Sequence, residues 1–116
     1  PLDVEGPATE LADRAGGPAG WALFAVVVGV GAPVAEELFF RGLLRDTLGS
    51  RWGSAVGVVG SSALFAATHF QLVQFVGLFV AGLVWALLAQ RSGRMGPALV
   101  SHMAFNLSTV ALLYLA

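Results

Sequence analysis

The sequence predicts an all-α fold, a polytopic membrane helix bundle with about four transmembrane helices. Three observations predict it. Of 116 residues, 57% are hydrophobic and only 11% are charged, with mean hydropathy +0.81; soluble domains carry about 25% charged residues. Polar residues gather into short clusters, and the apolar runs between them approach the ~20 residues that a bilayer requires. The few charges inside those runs sit together, at Glu36, Glu37 and Arg41. A net charge of −1 argues against nucleic acid as a partner. Without Cys, the chain has no thiol nucleophile, disulfide framework or Cys-ligated metal.

Residues 1–19 carry Asp3, Glu5, Glu10 and Asp13 among Pro and Gly. They read as a polar linker or interfacial segment, loosely ordered. Residues 20–116 form the membrane core. The first helix is expected from about Pro18 to about Leu48, longer than a span needs, so its Arg45-Asp46 end protrudes. Pro33 removes a backbone donor and frees the Gly29 carbonyl, which predicts a kink three residues before Glu36. Gly49–Gly53 reads as a turn. The second helix is expected from about Ala55 to His69; its small residues Gly57, Gly60, Ser61, Ser62 and Ala63 suit close backbone approach. The third covers about Leu72 to Gln90 and holds no ionisable group. After the polar turn Arg91–Arg94, the fourth runs from Gly96 or Pro97 to Ala116, with Pro at a tolerated first-turn position.

Four alternating helices put Arg45, Arg51, Arg91 and Arg94 on one side, which the positive-inside rule makes cytoplasmic. Counted from that edge, Glu36 and His102 lie at a common depth of roughly 12–14 Å. All six cations are Arg, as in a GC-rich bacterial source, so a multi-pass protein of a bacterial inner membrane is expected. The chain begins at Pro1, with no initiator Met or signal-peptide pattern, and reads as a domain of a longer membrane protein.

The chemistry is concentrated in Glu36-Glu37-Leu38-Phe39-Phe40-Arg41. A charge at the centre of a membrane helix costs roughly 2.5–3.5 kcal/mol, so unpaired charges here would erase much of the segment's hydrophobic gain. Glu37 and Arg41, spaced i,i+4, form a structural ion pair. Glu36 points about 100° away and has no partner on its own helix, which leaves it as the reactive carboxylate. Two more polar pairs lie in the apolar helices. Phe65 and His69 share one helix face, and His102 and Asn106 share another. Both histidines of the chain and its single Asn are in these two pairs.

The ordered triple Glu-Glu-x-x-x-Arg, Phe-x-x-x-His and His-x-x-x-Asn closely resembles the CAAX protease and bacteriocin-processing (CPBP, or Abi) family of intramembrane proteases, to which the eukaryotic CAAX prenyl endopeptidases belong. The likeness extends from about residue 20 to 116; family members usually have further membrane helices. It implies an intramembrane endopeptidase in which Glu36, helped by His69, draws a proton from water. That water attacks a peptide carbonyl, and His102 and Asn106 donate hydrogen bonds to the oxyanion. Such donors are worth about 2.7–4 kcal/mol each. The implied partners are the lipid bilayer and a membrane-associated peptide or protein. Prenylated substrates, bacteriocin leaders and other membrane peptides are all compatible with the resemblance.

No cofactor is required by this reading. The alternative is a zinc protease with Glu36, His69 and His102 as ligands around an open position, although H-E-x-x-H is missing. A serine protease is disfavoured, since Gly60-Ser61-Ser62-Ala63 is not a nucleophile elbow. From other classes, a proton-coupled transporter core could use the same Glu-His-His cluster. A non-proteolytic membrane scaffold could keep the motifs for folding alone.

Overall fold

The computed structural model describes residues 7–116, all of whose regular elements are helices. Asp3 and Glu5 lie outside the described residues. A short helix, α1 (Pro7–Asp13), precedes a long one, α2 (Pro18–Trp52). Three more follow: α3 (Ser54–Ala67), α4 (Phe75–Ser92) and α5 (Gly96–Leu115). By length and composition α2, α4 and α5 can each cross a membrane; α3 is apolar but shorter. Part of the expected linker is thus helical, with Ala12 buried against Phe24 of α2 and Val110 of α5.

α2 does not stop at Leu48 as expected. Gly49 stays helical, and the chain turns at a single residue, Gly53, whose φ of 97° favours glycine. This compact reversal brings α3 hard against the end of α2. A Cβ on Gly57 would lie 2.6 Å from the Arg45 carbonyl oxygen and 3.0 Å from the Gly49 backbone. The small residues at the start of α3 therefore serve backbone contact. One face of α3, with Val58, Ser61, Ser62, Phe65 and Ala66, is buried.

α2 is wound wide in two places, Val27–Gly31 and Leu38–Leu44, on either side of the glutamates. At the first, the Ala32 N–H bonds to the Val27 carbonyl, five residues back. The next carbonyl, Val28, then falls opposite Pro33, which has no N–H. The orphaned acceptor is thus on Val28 rather than Gly29, and α5 supplies its donor: Asn106 Nδ2 lies 2.8 Å from Val28 O. At the second, the Arg45 N–H reaches back to Phe40 O, and the passed-over Arg41 carbonyl accepts from Arg45 Nε at 3.3 Å. Both irregularities are closed by side chains.

α4 packs against α3, and α5 against α4 and the first half of α2. Phe40, Phe65, Trp85, Ala89 and Ala98 make the main core, drawn from all four long elements. Arg45 Nη1 donates to Gln90 Oε1 at 3.0 Å, tying the Arg-bearing ends of α2 and α4 together. The Cα positions span 47 × 34 × 16 Å, a slab rather than a ball.

Candidate active site

The middle of α2 delivers the site. Glu37 and Arg41 have no exposed surface, and Arg41 Nη1 lies 3.3 Å from Glu37 Oε1. The guanidinium is held from three sides. Its Nη2 donates to Gly82 O at 2.8 Å, across from α4. Its Cζ sits 4.8 Å from the centroid of Phe65 and 5.6 Å from that of Trp85, within cation–π range. Gly82 has to be glycine or close to it, because a Cβ there would lie 3.2 Å from Phe65, 3.3 Å from Arg41 and 3.3 Å from Ser62.

Glu37 does more than neutralise Arg41. His102 of α5 brings Nδ1 to 2.7 Å from the same Glu37 Oε1, while its Nε2 lies 3.7 Å from Glu36 Oε2. One imidazole therefore joins both glutamates. The expectation that Glu37 would face Arg41 and Glu36 the histidines needs correction: a step of about 100° separates the acids on the helix, but the ring is wide enough to reach both. Since a carboxylate beside an arginine acts as acceptor, His102 donates Nδ1–H to Glu37. Glu36 Oε2 and Glu37 Oε2 are buried and make no hydrogen bond among the described residues.

His69 lies beyond the end of α3, in the turn after Ala67, and not inside a helix as expected. Its position is still fixed. Nδ1 is 2.7 Å from Phe65 O, and a carbonyl can only accept, so Nδ1 carries the proton. In the neutral ring Nε2 is then a free acceptor. Phe65 touches both histidines, with ring centroids 4.7 Å from His69 and 5.8 Å from His102. His69 and His102 both lie within electrostatic reach of Glu36. Asn106 sits one turn beyond His102 with one of its two amide hydrogens committed to Val28 O.

Sequence reasoning missed Trp85. Its ring stacks on His102 at 3.8 Å between centroids and 13° between planes, and Nε1 donates to Ser101 Oγ at 3.2 Å. A Trp in an otherwise featureless apolar helix was the available signal, since buried Trp needs a partner for its N–H. Gly82 gave no signal, because its part is played by a backbone carbonyl. An apolar groove of about 390 Å³ lies elsewhere, between the start of α2 and the end of α5, lined by residues such as Trp21, Val110 and Tyr114. It holds no carboxylate or imidazole and is apart from the charged network. Among the described residues, no three His, Asp or Glu side chains are gathered closely enough to hold a metal ion as they stand.

Apolar helices around a buried carboxylate–imidazole network define an integral membrane protein with a polar site in its helical core. The chain belongs to the Rce1-like family, type II CAAX prenyl endopeptidase Rce1-like proteins, whose pattern matches residues 18–108. An uncharacterized 24.3 kDa protein of Escherichia coli is 34% identical to it over 88 residues, covering 72% of this chain and 40% of that protein. The chain thus spans about two fifths of the length of this curated relative. No solved structure matches it.

Proposed function

We propose that the chain is the catalytic core of an intramembrane endopeptidase that hydrolyses a peptide bond in a membrane-associated protein or peptide. The observation that carries this reading is the Glu36–His102–Glu37 array, two carboxylates on one buried imidazole with His69 close by. Glu36 takes a proton from water, and the water oxygen bonds to the scissile carbonyl carbon. His69 Nε2, free as an acceptor, orients that water. As the tetrahedral intermediate collapses, the C–N bond breaks and Glu36 returns the proton to the leaving amine.

His102 and Asn106 hold the oxyanion, with a condition on each. His102 has Nδ1–H committed to Glu37, so it can donate from Nε2 only as imidazolium. Two carboxylates and one guanidinium leave one negative charge, which a proton on His102 balances. Asn106 donates the amide hydrogen that Val28 leaves free. Donors fixed in advance in this way need no reorganisation when charge develops.

The family description makes a prenylated C-terminal peptide one substrate class for this chain; bacteriocin leaders and other membrane peptides are the others. The relative is bacterial, and the Arg-bearing ends of α2 and α4 are cytoplasmic by the positive-inside rule. The protein therefore sits in a bacterial inner membrane. No cofactor enters the mechanism. In the zinc alternative Glu36, His69 and His102 would be ligands, and His102 could offer only Nε2.

Purified protein in liposomes containing a membrane-anchored peptide tests the reading. Cleavage that is lost in Glu36→Gln supports it. Proton flux across the liposomes without cleavage overturns it in favour of a transporter. Cleavage that disappears on chelation and returns with zinc replaces the metal-free mechanism with the zinc one.

A further inference from the structure

The hairpin of α3 and α4 is too short to cross a bilayer. α3 has 14 residues, which is about 21 Å, against about 30 Å of hydrocarbon. Its start is pinned at the Arg-bearing end, because Gly57 packs on the Arg45 carbonyl and Arg45 is bonded to Gln90 of α4. α4 gives the same measure from the other leg. Before its polar end at Gln90 it offers only Phe75–Ala89, about 22 Å of apolar helix. Both legs leave the turn between them short of the far boundary.

The turn itself is built for lipid. From Thr68 to Gln90 there is no charged side chain, and His69 is the only ionisable one. Phe70 is 92% exposed and Leu72 85% exposed. Phe70 holds a φ of 54°, a left-handed conformation rare for bulky residues. Turns in water place Gly, Asn or Asp at such positions; here an aromatic ring is turned outward. The backbone N–H groups of Thr68, His69, Phe70 and Phe75 all bond to carbonyls of the same hairpin, as backbone immersed in lipid must.

We propose that Thr68–Gln74 is a re-entrant tip lying in the hydrocarbon of the leaflet opposite the Arg-bearing end, with Phe70 and Leu72 in contact with acyl chains. The partner of this surface is the bilayer itself. The turn that carries His69 is then bounded by lipid, and α3 is a half-span. Nothing in this inference depends on the catalytic assignment.

The chain has no Cys, so a single introduced thiol reports one place in it. Phe70→Cys and Leu72→Cys, each carrying a nitroxide, are compared in phospholipid vesicles with Gly17→Cys before α2 and Ser50→Cys at the Arg-bearing end. Spin relaxation is read with molecular oxygen, which concentrates in lipid, and with a neutral nickel chelate, which stays in water. Positions 70 and 72 should respond to oxygen over nickel, reversing the ratio seen at 17 and 50. Relaxation by nickel equal to that at position 17 overturns the proposal, since the turn would then reach water. Protection from both agents overturns it too, since the turn would then be covered by protein. Leu72→Cys stands alone should Phe70→Cys disturb the turn.

Discussion

At the scale of single residues, the two glutamates divide the work unequally. Glu36→Gln removes no counterion from a buried cation, so the protein should melt as the parent does while peptide cleavage disappears, because an amide cannot take a proton from water. Glu37→Gln strips Arg41 of its only carboxylate and weakens the hold on His102 Nδ1. Breaking a buried pair from one side costs about 3–5 kcal/mol, so this variant should express poorly or melt well below the parent. Thermal melts and cleavage assays on the two variants check both outcomes; a stable Glu37→Gln protein would mean that Arg41 has another anion. Trp85 can be separated from bulk packing by substitution. Trp85→Phe keeps a ring over His102 and should retain most activity, whereas Trp85→Ala should lose it. Equal activity in the two would leave the stacking without a part in the reaction.

At the scale of elements, α2 and α5 are coupled through a gap in hydrogen bonding. Asn106→Ala orphans the Val28 carbonyl, and an unsatisfied buried acceptor costs about 1–3 kcal/mol. The sequence-based expectation, a fall in kcat of roughly 10²–10³ with nothing else changed, is therefore too simple. Pro33→Ala gives the backbone a new N–H opposite Val28 O. The double variant Pro33→Ala/Asn106→Ala should regain melting temperature and stay inactive if Asn106 donates to the oxyanion. Activity returning along with stability would make Asn106 a structural residue only. The helices themselves were legible, because runs of apolar residues punctuated by Gly, Pro and Arg leave little choice. The Glu37–Arg41 pair was legible too, since both members lie on one turn. The wide turns were not: over five or seven apolar residues a spacing of five cannot be told from one of four. Contacts between distant segments were hidden for a different reason. His102 meets Glu37 across 65 positions of chain, and no local pattern encodes which face of α5 turns inward.

At the scale of the whole molecule, the thin dimension decides what protects the charges. A slab 16 Å deep in Cα positions has room for little more than one helix behind another, since packed helices sit 8–10 Å apart. Phe65 lies between Phe40 and Trp85 at 5.3 and 5.7 Å, under Arg41 and beside both histidines. Phe65→Ala should cost about 3–5 kcal/mol, read as a lowered melting temperature, with Phe65→Leu far milder. The loss should have an order in time. Deuterium should enter the backbone around Gly82 and Arg41 well before helix content falls, because a single ring is the gasket of this machine. A protein whose seal is one side chain thick leaks before it breaks, and in a membrane the first thing to leak in is water.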